Sequence, residues 1–175
     1  RIQQILGFTD SVWVFIDIKS AGPRDDFEHA VMSPYQVSGS GGWQNIPDGV
    51  MNSPIIAQGR RASHDFLCSL PPIYVLSDGT VAPLVTIVIK PIYSMMFNNN
   101  QNIGQPLQKI KIASIPNGLL LTQNPNYLET YPNLFFPGKD DKGKDLRKIR
   151  ARISFDILRN INQWRVAEIE VPNHA

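Results

Sequence analysis

The stretch "KIRARISFDILRNINQWRVAEIEV", residues 148 to 171, carries the clearest local pattern in the chain. Ile149, Ala151, Ile153, Phe155 and Ile157 occupy alternate positions, with Lys148, Arg150, Arg152 and Ser154 between them. That is the period of a strand with one apolar and one polar face. "RNINQ" supplies a turn, and "WRVAEIEV" reads as a second strand. The spacing predicts an antiparallel hairpin of 148–158 with 164–171, in which Arg150 or Arg152 lies opposite Glu168 or Glu170.

Working outward, similar runs recur between Pro, Gly and Asn punctuation. "SVWVFIDIK" (11 to 19) places Val12, Val14, Ile16 and Ile18 on one face, with Trp13 and Phe15 on the other, as a strand covered on both sides would require. Further strands are expected at 64–70, 73–76, 83–89, 107–115 and 118–122. "PRDDFEHAVM" (23 to 32) opens with proline and early acids, favourable at a helix start, and predicts a short helix. Residues 38 to 53 are rich in Gly, Ser and Asn without periodicity and read as a flexible loop carrying Trp43. "FNNNQNIG" (97 to 104) reads as a connection between strands. The fold class that follows is α+β, mainly β: a single domain with an antiparallel sheet or sandwich and one or two short helices.

Composition supports this. With 175 residues and 42% hydrophobic content, one domain of this size buries roughly 70% of its unfolded surface. Charged residues make up 18%, and 14 Pro and 12 Gly imply many turns. Apolar runs fall short of the ~20 residues of a membrane-spanning helix. One cysteine, Cys68, excludes an internal disulfide; with no Asn-x-Ser/Thr acceptor, this fits a reducing compartment. The chain starts at Arg1 rather than methionine, consistent with a segment upstream.

Patterns of catalysis and metal binding were tested in turn. His64 and Cys68 fall on one face of an extended "SHDFLC", some 13 Å apart by the rise per residue, too far to pair; Cys68 reads as a small core hydrophobe. Ser63, His64 and Asp65 are neighbours and point apart. The three histidines and Cys68 show no metal-ligand spacing. "SGSGGW" lacks the flanking strand, helix and lysine of a phosphate-binding loop. Asp25–Asp26 and Asp140–Asp141 read as solvated turns. These readings predict no enzyme, no cofactor and no small-molecule substrate.

The charge distribution says more. Between 139 and 152 lie seven Lys or Arg and three Asp, a local net of +4 in a chain whose total is +2. Residues 139–147 form a basic turn leading into the strand. Lys142, Lys144, Arg147, Lys148, Arg150 and Arg152 are the candidate contacts for an anionic surface, either nucleic-acid phosphates or lipid headgroups. The competing reading is an edge strand protected by charge.

Two short motifs remain. Pro71-Pro72-Ile73-Tyr74 is a PPxY sequence, and Tyr131-Pro132-Asn133-Leu134 a YPxL sequence; proline-rich segments of the first kind dock in aromatic WW-domain grooves. Together with the β-rich layout and the "VWVFIDIKSAGPRDDFEHAVM" segment, they resemble the matrix proteins of nonsegmented negative-strand RNA viruses, rhabdovirus- or bornavirus-like. In that family the PPxY stands in a Lys-rich N-terminal tail, whereas here it is mid-chain. The resemblance implies a nonenzymatic, self-associating assembly protein of the virion or inner membrane surface. Its implied partners are an anionic membrane, the nucleocapsid and WW-domain or other budding proteins, with Pro71, Pro72, Tyr74, Tyr131, Pro132 and Leu134 as late-domain residues. The alternatives are a capsid-type β-sandwich subunit and a ligand-binding β-domain using Trp43.

Overall fold

A computed structural model describes residues 11–22, 26–39, 55–58, 63–66, 68–98, 101–118, 125–138 and 149–172. The backbone of the fold is "VAPLVTIVIKPIY", a run dense in β-branched residues that forms β6 (Val81–Tyr93) and buries every second side chain. Around it assembles a mixed sheet in the order β1-β6-β9-β12, with β5 (Ile73–Val75) added beside β6. β1 (Trp13–Ile18) runs parallel to β6, while β9 (Leu107–Ile115) and β12 (Val166–Glu170) continue antiparallel. A second, antiparallel sheet has the order β10-β11-β2, from Phe135–Pro137, Ala151–Ser154 and His29–Met32. Two hairpins complete the strands, β3–β4 (Ile55–Gln58, Ser63–Phe66) and β7–β8 (Met96–Asn98, Gln101–Gly104). Helices among the described residues include α1 (Pro125–Thr130) and α2 (Phe155–Ile161). The architecture is α+β and mainly β, as the strand density of the sequence requires.

One core joins the two sheets. Ala30, Met32, Phe135, Ala151 and Ile153 from the small sheet meet Val88, Ala113, Ile115 and Val166 from the large one, with Phe155 and Leu158 of α2. Burying side chains of this size contributes about 1.5–3 kcal/mol each. The opposite face of β1 is open: Val12, Val14, Ile16 and Ile18 are all about half exposed or more. The expectation of a strand covered on both sides is therefore corrected among the described residues.

Four further local expectations change. Residues 29–32 form β2, not the second half of a helix, because Ala30 and Met32 alternate into the core while Val31 faces out; residues 23–25 lie outside the described set. The strand expected over 148–158 ends at Ser154, whose hydroxyl accepts the Ile157 N–H at 3.3 Å and caps α2. Such a cap stabilises a helix by about 1 kcal/mol, and Phe155 and Leu158 bury at helical rather than strand spacing. Consequently no hairpin joins the two runs: β11 pairs with β10 and β2, whereas β12 pairs with β9. "FNNNQNIG" contributes to the β7–β8 hairpin rather than merely connecting strands. The loop at 38–53 lies outside the described residues beyond Gly39, as does 118–122 beyond Gly118. Gly118 itself admits no side chain: a Cβ there would lie 1.9 Å from the Ser38 carbonyl oxygen.

Candidate active site

Polar groups on the buried face of an apolar strand are the informative exceptions to hydrophobic burial. β1 and the residue after it carry two on one face. Asp17 lies opposite Val88, and the Lys19 N–H donates to the Ile89 carbonyl at 2.9 Å, so the register carries Lys19 alongside Lys90. Both Asp17 and Lys19 therefore project to the side of the sheet that holds the core. The Asp17 side chain is only 12% exposed. The Lys19 ammonium sits 3.0 Å from Asp17 Oδ2, within ion-pair distance but off the direction a hydrogen bond needs, so that buried oxygen makes no hydrogen bond. Lys19 Nζ also donates to Gln36 Oε1 at 3.3 Å.

Beyond Lys19 the sheet opens into a concavity of about 260 Å³, lined by Lys19, Ser20, Ala21, Asp26, His29, Ala30, Val31, Lys90 and Arg152. Asp17 stands one step behind its rim on the same strand. Lys90 is 5% exposed, and its ammonium donates to the carbonyl oxygens of Asp26 and His29, anchoring the segment leading into β2 against β6. His29 Nδ1 lies 3.0 Å from Asp26 Oδ1, and Arg152 Nη1 lies 3.6 Å from Asp26 Oδ2. Burial pushes the Asp26 carboxyl up, but the hydrogen bond and charge of His29, the Glu28 N–H and the charge of Lys90 outweigh it, and the group titrates below the usual aspartate value. Among the described residues, Lys19, Lys90 and Arg152 thus stand with Asp26 around the cleft, beside the Asp17 oxygen that makes no hydrogen bond. This arrangement can receive an anion, with Lys19 and Arg152 as donors, and can offer Asp17 to a hard cation.

The sequence-derived contacts divide. Lys142, Lys144, Arg147 and Lys148 lie outside the described residues. Arg150 donates to the Ile149 carbonyl at 3.1 Å. Arg152 donates to the Pro137 carbonyl at 3.2 Å and reaches the cleft, which brings one member of the basic run to the β1 site. Neither arginine meets Glu168 or Glu170: those carboxylates pair instead with Lys109, Lys111 and Arg159. The PPxY residues are built into the sheet. Pro72 is buried, its carbonyl accepts from Leu84 N and Asn117 Nδ2, and the Tyr74 ring packs 5.4 Å from Trp13. In the YPxL sequence Pro132 is exposed, Tyr131 is partly buried and Leu134 lies in the core. Cys68 is buried, and burial pushes its thiol far above the usual range.

Sequence reasoning missed Asp17 and Lys19, although the run that contains them was singled out. Attention to the apolar alternation passed over the two charged side chains that share a face at its end.

Comparison with known proteins places the chain in a family. A family model described as restriction endonuclease BglI matches residues 1–169. The type II restriction enzyme BglI of Bacillus subtilis is 48% identical over 167 residues, covering 94% of this chain and 56% of that enzyme. The crystal structure of restriction endonuclease BglI bound to its DNA recognition sequence superposes with a TM-score of 0.81 at 49% identity, covering 94% of this chain and 55% of that one. The tetrameric restriction endonuclease SfiI, solved bound to cognate DNA, shares the fold at a TM-score of 0.59 and 16% identity, covering 93% of this chain and 54% of that one. The chain therefore spans about half the length of the relatives it matches. These findings overturn the viral matrix resemblance, the expectation of a nonenzymatic protein and both alternatives, capsid subunit and ligand-binding domain. The membrane, nucleocapsid and budding partners, and the late-domain role of the PPxY and YPxL residues, fall with that identity. By sequence and fold, the chain belongs to the family of the restriction endonuclease BglI.

Proposed function

We propose that this chain carries the hydrolytic centre of a DNA endonuclease, with Asp17 and Lys19 as its catalytic residues. The observation that carries the reading is the Asp17–Lys19 pair on one face at the end of β1: a nearly buried carboxylate with an oxygen free of hydrogen bonds, next to a cation-rich cleft. Phosphodiester hydrolysis forms a bond from water oxygen to phosphorus and breaks one from phosphorus to an ester oxygen. Charge accumulates on the non-bridging oxygens meanwhile. The Lys19 ammonium, fixed between Asp17 and Gln36, is placed to neutralise that charge. Asp17 fits a small, hard divalent cation such as Mg²⁺, which is held by one or two carboxylates together with substrate phosphate oxygens. When bound, such an ion supplies Lewis acidity and an activated water.

Arg152, on the cleft wall, and Arg150, two residues before it on the same run, extend the cationic surface from the catalytic pair, and the basic turn at 139–147 continues it in sequence. We assign this surface to DNA rather than lipid, since phosphate contacts from Lys and Arg position a duplex over a neighbouring centre. Self-association belongs to the same reading: a duplex has two strands related by a twofold axis, and a symmetric dimer presents one centre to each.

The test is plasmid cleavage in Mg²⁺ with DNA binding measured alongside. Asp17→Asn and Lys19→Met are each expected to lower the cleavage rate by roughly 10²- to 10³-fold while retaining DNA affinity. Arg152→Ala is expected to weaken binding and reduce its salt dependence. Parental cleavage by Asp17→Asn would remove the assignment.

A further inference from the structure

Gln36 stands outside the cleft wall, yet it touches Lys19. It closes the short 3₁₀ turn Pro34–Gln36 that follows β2, and the surrounding bonds fix it from several sides. Its side-chain oxygen accepts the Ser33 N–H at 2.8 Å, its N–H donates to the Ser33 carbonyl at 3.1 Å, and its carbonyl accepts the Thr86 hydroxyl at 3.2 Å. The turn is held again by Ser69 N donating to the Pro34 carbonyl at 2.8 Å. With its backbone bolted to β6 and its amide oriented by Ser33, the oxygen of Gln36 has one direction left to serve. The Lys19 ammonium lies 3.3 Å along it. Two N–H donors converge on one atom, so the oxygen end of the amide, not its nitrogen, must face Lys19.

We infer that Gln36 is a positioning residue for the Lys19 ammonium. A lysine carries three ammonium donors on a flexible four-carbon stem and loses rotamer freedom only when its partners hold it. Asp17 alone does not, because its oxygen is off-axis for a hydrogen bond. The Gln36 oxygen supplies a second, neutral acceptor. It restrains the ammonium beside the carboxylate. Gln36 therefore acts on the chemical step through Lys19, with no contact to DNA. Partners that orient a reacting group from behind are worth about 10- to 100-fold at metal sites, where this has been measured most often.

This inference rests on the endonuclease reading, and the experiment separates the two. Steady-state cleavage of a duplex substrate is measured for the full chain carrying Gln36→Met, Gln36→Glu or Lys19→Met, well below each variant's melting temperature. Gln36→Met, of similar length without an acceptor, is expected to lower kcat by roughly tenfold or more with KM unchanged. Gln36→Glu restores an acceptor to both Ser33 N–H and Lys19 and is expected to recover most of that loss. In the Lys19→Met background Gln36→Met adds no further loss, as expected when one residue acts through the other. A parental kcat for Gln36→Met, a loss confined to KM, or a Glu variant no better than the Met variant overturns the inference. Should Gln36→Met fail to fold, Gln36→Asn withdraws the amide by one methylene, and a parental kcat for it overturns the inference equally. If Lys19→Met itself cleaves at the parental rate, the endonuclease assignment of Lys19 fails instead.

Discussion

The two outer edges of the mixed sheet both carry charged side chains, but they use them differently. At the β9–β12 edge, Lys109 reaches Glu168 at 2.9 Å and Glu170 at 2.8 Å, while Lys111 pairs with Glu28 and lies 3.5 Å from Glu168. Arg159 of α2 closes the array by bonding Glu168 and Asp156. One oxygen there, Glu28 Oε2, lacks a hydrogen bond but still faces Arg159 at 3.7 Å. At the β1–β6 edge, Lys19, Lys90, Arg152 and Asp26 line the cleft, and the Asp17 carboxylate behind it is the more deeply placed of the two acids. The first edge spends its charges on itself. The second arranges its charges around a cleft of about 260 Å³ with room for something else, beside a deeply placed carboxylate.

The comparison breaks most directly through paired substitutions. Lys111→Met removes a nearly buried ammonium from two carboxylates and is expected to cost about 1.5–3 kcal/mol in chemical denaturation. Asp17→Asn, by contrast, is expected to leave stability unchanged or raised, because it relieves a buried charge that the fold satisfies poorly. A stability loss from Asp17→Asn as large as that from Lys111→Met would erase the distinction between the edges.

A smaller effect sharpens it through pH. The native Asp26 carboxyl titrates below its ordinary value, so its contribution to stability is fully present above that ordinary value and is lost as pH falls through the native one. Asp26→Asn is therefore expected to be less stable than the parent at neutral pH, with the difference closing on acidification. Denaturation midpoints measured across the acid range check this; a gap that does not vary with pH would detach Asp26 from the charges around it. The smallest expected change lies away from both edges. Cys68, fully buried with its thiol pushed far above the usual range, should stay unmodified by a disulfide reagent in the native chain and react once unfolded. Rapid native-state reaction would show that the core beneath the β3–β4 hairpin opens.

How far the sequence could be read follows from the range of each interaction. β9 was legible to the residue, and β5 and β12 within a residue or two, because alternation along a strand is local. The sharp end of β11 was less so: Ser154 reads equally as the polar face of a strand and as a helix cap, and Phe155 and Leu158 settle the matter only by packing at helical spacing. The same ambiguity turned 29–32 from an expected helix into β2. At the site, Asp17 and Lys19 were within reach of sequence reasoning as two charges on one face of an apolar run. Gln36, Asp26, His29, Lys90 and Arg152 were not, since they arrive from four separate segments that no local period relates.

The sequence by itself determined a strand-rich, turn-punctuated α+β chain, a buried cysteine and a locally basic segment. Those properties come from period, composition and charge, each of which acts over a few residues. Tertiary structure decided which strands pair, that Glu168 and Glu170 belong to Lys109 and Lys111 rather than to Arg150 and Arg152, and that Arg152 shares a cleft with Lys19. A period of two assigns side chains to a face but names no partner. Pairing is fixed only when the faces of several strands must bury against one another at once.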